Sequence, residues 1–320
     1  MRARLLVVGL GRIGRLHATN LAGRVPGAEL LGVVDAVEQV ARAVGEELGV
    51  PWSTSLDGLL RDADGIVIAA PTSVHADFVE RCAGAGRHVF CEKPLGFDPD
   101  AARRAVAAAR AAGVALQVGF QRRFDPDWLG LREALRSGEL GRLELFRGSH
   151  RNAGEPAASA DLGDLFVDVA IHDLDAARWL GGEVTELHAA DRPGAATISL
   201  RFESGALGLI DVSRRAGYGF ECSAELVGSR ATARTGQARG QVELLRDGLV
   251  SAMLPADHGQ RHEAAYVAEL EHFGQVALGA AACGAGGDDA VAALKLALLA
   301  RRSAAVGAPV PAGTQALAVA

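Results

Sequence analysis

The chain has 320 residues, with 33 Lys plus Arg against 39 Asp plus Glu and a net charge of −6, so no cationic surplus exists to follow a phosphate backbone or an anionic membrane surface. A hydrophobic share of 49% with 22% charged residues excludes intrinsic disorder and supplies material for about two domains. Glycine is abundant, at 40 residues without a Gly-X-Y period, which excludes collagen and leaves turns and close backbone approaches.

The arginines at the start precede an apolar run over 5–10 that is too short for a signal-peptide core and reads better as a first strand. The first 120 residues then alternate short apolar runs with helix-length segments. Strands are predicted over 5–9, 30–35, 65–70, 88–91 and 115–119, and helices over 13–22, 37–48, 55–60, 73–85 and 99–112. The near-continuous apolar runs Leu30-Leu31-Gly32-Val33-Val34 and Ile66-Val67-Ile68 mark strands buried on both faces, as in a parallel sheet covered by helices.

After Arg123 the pattern changes. A helix over 125–137, a strand over 143–147 and a long helix ending at Gly181-Gly182 lead into alternating runs over 196–202 and 207–212, joined as a hairpin by Glu203-Ser204-Gly205. This period-2 alternation predicts an antiparallel sheet packed on helices by one face, with the other face expected to form a homo-oligomer interface. The expected domains are residues 1–120 and 121–320. Cys82, Cys91, Cys222 and Cys283 form no C-x-x-C pair, so neither a disulfide framework nor a zinc knuckle is expected, and a reducing cytoplasm is the natural setting. The most apolar stretch near the C-terminus is interrupted by Lys295, and no run reaches the roughly 18 residues of a membrane span.

The sharpest motif is Gly9-Leu10-Gly11-Arg12-Ile13-Gly14, a G-x-G-x-x-G set directly after the first strand and opening a helix. In that context Gly9 permits the tight turn, Gly11 lets backbone N–H groups approach a pyrophosphate, and Gly14 allows close helix packing. Arg12 and Ile13 lie within the same turn. Asp35 ends the second strand, 21 positions after Gly14, where a carboxylate accepts from ribose hydroxyls and repels a 2′-phosphate. Residue 36 is Ala and no arginine follows before Arg42, so NAD is favoured over NADP.

Further along, Glu92-Lys93-Pro94 ends another strand, and the proline holds Lys93 in an extended conformation at the carboxyl edge where such sheets bind ligands. An ordinary solvated loop lysine is the alternative. Pro71, Thr72 and His75 similarly follow the 65–70 strand: Thr72 or Ser73 suits a helix cap, and His75 is expected to face the cofactor. In the segment 163–182, Asp168 and His172 are four apart and share a helix face, with Asp175 on the same side and Leu165, Val169, Leu174 and Ala177 as the opposing buried stripe. A carboxylate beside an imidazole fixes its tautomer, although an ordinary amphipathic helix fits the pattern too. No three ligands stand at zinc spacing, so no metal is expected.

Taken together, GLGRIGRLH, APTSVH at 70–75, CEKPL at 91–95, VGFQRRFDP at 118–126, HRN at 150–152 and DVAIHDLDAARWL at 168–180 resemble the glucose-fructose oxidoreductase and inositol dehydrogenase (Gfo/Idh/MocA) family over nearly the whole chain. The resemblance implies an α/β protein: an N-terminal Rossmann domain with a doubly wound parallel sheet, then an α/β domain with a large, mostly antiparallel, open-faced sheet that builds dimers or tetramers. The last helix would be able to pack back on the first domain. It implies Lys93, Asp168 and His172 as catalytic residues, and adds Glu92 to the cofactor-binding set with Pro71, Thr72 and His75.

Within the family, the GFQRRFD, HRN and IHDLDAARW segments look most like inositol 2-dehydrogenases. On that likeness Gln121, Arg122, His150, Asn152, Tyr218 and Tyr266 line a sugar pocket, the last two being both tyrosines of the chain. The implied reaction is NAD-dependent oxidation of a secondary hydroxyl of an inositol, with another inositol isomer or a pyranose as the alternative. A non-catalytic NAD-binding redox sensor is the rival from another class, and it has no use for Lys93, Asp168 and His172 together.

Overall fold

A computed structural model describes residues 1–154, 163–235, 244–246, 249–251, 255 and 257–313. The chain divides into two compact units, one of Met1–Phe124 with Ala264–Ala292, the other of Asp125–Glu263 with Ala293–Ala320.

In the first unit, β1 (Ala3–Val8), α1 (Arg12–Gly23), β2 (Ala28–Val34), α2 (Glu38–Leu48), β3 (Trp52–Ser53), α3 (Asp57–Leu60), β4 (Gly65–Ile68), α4 (His75–Gly84), β5 (His88–Cys91), α5 (Pro99–Ala111) and β6 (Leu116–Val118) follow in order. All six strands are parallel, arranged β3-β2-β1-β4-β5-β6. This is the doubly wound order, with β1 and β4 flanking the point where the winding reverses. Every residue of β4 is buried, as expected for a strand covered on both faces. The predicted strands agree with these to within one or two residues, and only the two-residue β3 was not foreseen.

The second unit holds α6 (Pro126–Arg136), β7 (Leu143–Arg151), a π-helical turn at Phe166–Ala170, α7 (Ile171–Gly181), β8 (Val184–Arg192), β9 (Ala195–Phe202), β10 (Leu207–Ser213), β11 (Glu221–Gly228), β12 (Thr232–Arg234), the small pair β13 (Leu244–Arg246) and β14 (Leu249–Ser251), and α8 (His258–Arg261). Then α9 (Glu263–Ala277), α10 (Gly287–Val306) and β15 (Val310–Pro311) end the described chain. The large sheet runs β12-β11-β7-β10-β9-β8-β15, and all its pairs are antiparallel except β7 with β10. Burial alternates strictly along β9 and nearly so along β10, so one face is packed and the other open. The β9–β10 hairpin turns at Gly205, whose φ of +86° is left-handed backbone that favours glycine.

The single boundary expected near residue 120 is replaced by chain crossings after Phe124, Glu263 and Ala292. The reason is apolar: Leu270, Phe273 and Val276 of α9 belong to the same buried cluster as Leu5, Val7 and Phe90, so this late helix completes the core of the parallel sheet. Val118 N–H also donates to the Ala285 carbonyl at 2.9 Å. It is α9 from Ala264 and the first six residues of α10, rather than the whole last helix, that belong to the first unit.

Candidate active site

The glycine turn has the form its sequence demands. Gly9 has φ of +86°, and a Cβ there would collide with the Ala70 backbone at the end of β4. A Cβ on Gly14 would run into the carbonyl oxygen of Gly9. Gly11 differs, because a Cβ there would meet nothing within 4 Å. The fold does not need glycine at Gly11 for its own packing, which fits a position kept bare for close approach of a ligand. Gly11 caps α1 without any side-chain hydrogen bond, so the first N–H groups of a 12-residue helix are left to attract an anion. Asp35 accepts from Leu10 N–H at 2.7 Å and Val37 N–H at 2.9 Å. That ties the end of β2 to the glycine turn and leaves the carboxylate's other lone pairs for ribose hydroxyls. These features fit a pyridine dinucleotide held by Gly9, Gly11, Arg12, Ile13, Gly14 and Asp35.

At the ends of β4 and β5 the structure is tighter than the sequence suggested. Pro71 precedes a 3₁₀ turn at Thr72–Val74, and Thr72 is buried. His75 is 2% exposed, with Nδ1 2.8 Å from the Pro94 carbonyl and Nε2 2.7 Å from the Ala70 carbonyl. Its ring ties two strand-end loops together. Burial lowers its affinity for a proton, and the two carbonyls offset this only in part. Glu92 is a hub: Oε1 meets His17 Nε2 at 2.7 Å, and Oε2 accepts from Lys93 N–H at 3.2 Å. Burial alone would raise the Glu92 carboxyl, but the His17 hydrogen bond and the nearby charges of His17, Lys93 and His75 bring it below the usual range. A Cβ on Gly119 would touch that carboxylate. Lys93 is half-buried, and its bond to Pro94 is cis.

In the second unit Asp168 lies in the π-helical turn, a rare form that recurs at functional sites. Its Oδ2 accepts from Arg214 Nη2 at 2.7 Å, and the same guanidinium reaches the Asp164 carbonyl at 3.3 Å. Asp164 in turn accepts from Phe166 and Val167 N–H at 2.9 and 3.0 Å, fixing the start of the turn. The expected one-sided stripe over 163–182 is not what forms. Helix α7 is buried on almost every side, including His172, Asp173 and Asp175. His150 sits at 5% exposure with Nδ1 3.1 Å from Asp173 Oδ2 and its ring 6.3 Å from that of His172. Asn152 pairs through its backbone with Ser213 and Ala216. Tyr218 is 56% exposed and donates to Glu221 at 2.7 Å.

The other residues assigned to a sugar pocket belong to the first unit. Gln121 and Arg122 lie in a buried 3₁₀ turn, while Tyr266 on α9 packs its ring edge-on to His17 at 5.9 Å. Sequence reasoning missed Arg214, Asp173, His17 and Glu269. The last two stand with Glu92 so that one ligating atom of each lies within 4.8 Å of the others. Three such groups at positions 17, 92 and 269 give no spacing signal in the sequence, and they meet only through the fold.

A doubly wound sheet with this glycine turn, a ribose-directed acid and a second unit rich in buried His and Asp defines a dinucleotide-dependent oxidoreductase. The comparisons sharpen that class. Residues 3–120 match the model of an oxidoreductase family with an NAD-binding Rossmann fold, and residues 128–234 match the GFO/IDH/MocA C-terminal domain. The chain belongs to the GFO/IDH/MocA family of NAD-dependent oxidoreductases. It is 36% identical to inositol 2-dehydrogenase of Rubrobacter xylanophilus, covering 95% of this chain and 91% of that one. It is 35% identical to scyllo-inositol 2-dehydrogenase (NAD(+)) of Bacillus subtilis, covering 86% of each. Among solved structures it resembles scyllo-inositol dehydrogenase of Lactobacillus casei with bound NAD(H) and scyllo-inositol, at TM-score 0.89, 26% identity and 98% and 99% coverage. Myo-inositol dehydrogenase of Corynebacterium glutamicum gives TM-score 0.88 at 30% identity, covering 97% of this chain and 99% of that one.

Proposed function

We propose that the protein oxidises one secondary hydroxyl of an inositol to a ketone, using NAD. The observation that carries this is the polar set around the π-helical turn, buried His150, His172 and Asp173 with half-buried Asp168, because such a set suits a small polyol that must be held by hydrogen bonds and oriented. The names of several relatives, which are inositol 2-dehydrogenases, support it.

NAD, when bound, supplies the acceptor for the hydride that leaves the carbinol carbon. His172 takes the hydroxyl proton as the C–O bond becomes C=O, since an imidazole titrates near neutrality and suits both directions. Asp168 orients His172, and its own charge is balanced by Arg214. Lys93 donates a hydrogen bond to the substrate oxygen as negative charge develops on it. Gln121, Arg122, His150, Asn152, Tyr218 and Tyr266 hold the remaining hydroxyls.

A screen of NAD reduction with a panel of inositols and aldoses tests the reading. We expect turnover with myo- or scyllo-inositol and losses of about 10²–10⁴-fold in kcat for Lys93→Ala and His172→Ala with NAD binding retained. Turnover restricted to a pyranose would move the substrate class, and turnover surviving both changes would overturn the roles. We further assign the open sheet face to self-association, and the four free thiols to a reducing compartment.

A further inference from the structure

The interior of the first unit contains an ionisable cluster that the mechanism above does not use. His17 from α1 and Glu269 from α9 are 0% exposed, and Glu92, just beyond β5, is 8% exposed. Neither carboxylate oxygen of Glu269, nor Nδ1 of His17, has a hydrogen-bond partner. Two carboxylates cannot both stay charged side by side in a dry interior, so the cluster must take up either a metal ion or a proton.

The His17–Glu92 edge decides between them. Nε2 and Oε1 stand 2.7 Å apart, a hydrogen-bond length, whereas two ligands of one tetrahedral ion at bonds of about 2.0–2.2 Å would stand about 3.3 Å apart. That edge is a hydrogen bond, and Glu269, with neither oxygen partnered, is the carboxyl left to take the proton. Electrostatics agrees: burial first, then the Glu92 charge, pushes Glu269 well above the ordinary carboxyl range, while Glu92 is held below it. Neighbouring carboxyls driven apart in this way carry separate roles.

We propose that Glu269 is a positioning residue for the oxidation: held as a neutral acid, it keeps a second carboxylate charge from forming beside Glu92 and Lys93, and its ionisation weakens the hold of Lys93 on the substrate. This rests on the role given to Lys93 under the proposed function. The groups that face the cluster come from several elements. Lys93, Cys91 and His75 face Glu92, and Tyr266 lies edge-on to His17. Gln117 of β6 donates to the Glu269 carbonyl at 3.1 Å while its Oε1 meets His272 Nδ1 at 2.8 Å. The Lys93 charge acts on Glu92, so a second carboxylate charge beside Glu92 would draw the ammonium inward, away from the substrate oxygen.

The test uses the whole protein and two readouts. Infrared spectra of the protein without substrate should show, at neutral pH, the C=O stretch of a buried carboxylic acid that Glu269→Gln removes. This readout does not depend on activity, so it can fail or succeed apart from the inositol reading. In kinetics the parent should show an alkaline fall of kcat/KM, and Glu269→Gln, which keeps shape and neutrality, should hold kcat/KM within a factor of about three at neutral pH and abolish that fall. Glu269→Leu should lower kcat more than it changes KM for NAD. Absence of the acid band in the parent, an unchanged alkaline limb in Glu269→Gln, or one equivalent of a divalent ion on elemental analysis would each overturn the proposal.

Discussion

Asp35 shows how one side chain serves both structure and selectivity. Its two oxygens already accept from Leu10 and Val37 N–H, so the carboxylate is aimed by the fold before any ribose arrives. Hydrogen bonds to a charged acceptor contribute about 1.5–3 kcal/mol. Asp35→Ser should therefore reduce kcat/KM for NAD by about 10- to 100-fold and narrow the gap to NADP, because the repulsion of a 2′-phosphate goes with the charge. Steady-state kinetics with both cofactors checks this, and a parent enzyme that already prefers NADP would refute it. Arg214 is the counterpart that the sequence hid. It lies 46 positions from Asp168, a pairing set by the meeting of β10 with the π-helical turn rather than by local spacing. Its guanidinium serves Asp168 and a backbone carbonyl at once, a fork that lysine cannot reproduce. Arg214→Lys should lower kcat by at least about tenfold with little change in KM for NAD, whereas an equal rise in both would assign Arg214 to overall folding. The same contrast explains what was legible. Gly9, Gly14 and Asp35 declare themselves because turn geometry is local, while His17, Glu92 and Glu269 converge only through packing of α1, β5 and α9.

Elements were read well where one periodicity dominates and poorly where burial is complete. The parallel strands and the β9–β10 hairpin follow directly from apolar runs and turn chemistry. The segment 163–182 misled because its Asp and His residues suggest a wet face, yet Asp173 and Asp175 are 0% and 1% exposed. Polar residues on a helix buried against a sheet defeat any reading that equates charge with solvent. Helix α6 gives the opposite lesson and a prediction. Asp125 caps it by accepting from Asp127 N–H at 2.9 Å, and it also binds Arg261 Nη1 at 2.9 Å and His262 Nδ1 at 3.1 Å. Burial would raise the Asp125 carboxyl, but the His262 hydrogen bond and the Arg261 and His262 charges outweigh it, leaving the group below the usual range. A carboxyl depressed in the folded state adds stability that is present above its unfolded value of about 3.9 and is lost as pH falls through the folded value. Asp125→Asn should cost up to about 3 kcal/mol at neutral pH, because buried Arg261 keeps only Asp127 as its counter-charge, and should flatten the acid limb of stability. Urea unfolding from neutral to acid pH measures both, and an unchanged acid limb would show that Asp125 is not the linked group.

At the scale of the whole molecule, the departure from a simple two-domain string is the return of residues 264–292 to the first unit. Composition gives no sign of it, because α9 reads like any apolar helix, and only the open side of the parallel core says where it must go. The large sheet of the second unit has its own unmet requirement. Along its central strand β10, Leu207 and Leu209 are 47% and 42% exposed, and register places Leu207 between Leu145 and Arg201, and Leu209 between Arg147 and Ser199. Around these leucines lie both signs of charge, with Arg147 paired to Glu225, Arg201 to Glu186 and Arg151 to Asp211. A face with an apolar centre and interspersed opposite charges is complementary to itself under a two-fold axis. A second copy of this chain is therefore its expected partner. Light scattering after size exclusion should give a dimer or tetramer for the parent. Leu207→Glu with Leu209→Glu should yield a smaller species, because burying two carboxylates against their own symmetry mates is opposed by desolvation and like-charge repulsion. Far-UV circular dichroism of the double variant separates dissociation from unfolding, since both leucines point to the open face and their loss leaves the packed face intact. A parent that elutes and scatters as a monomer across its working concentrations would end the argument for this interface.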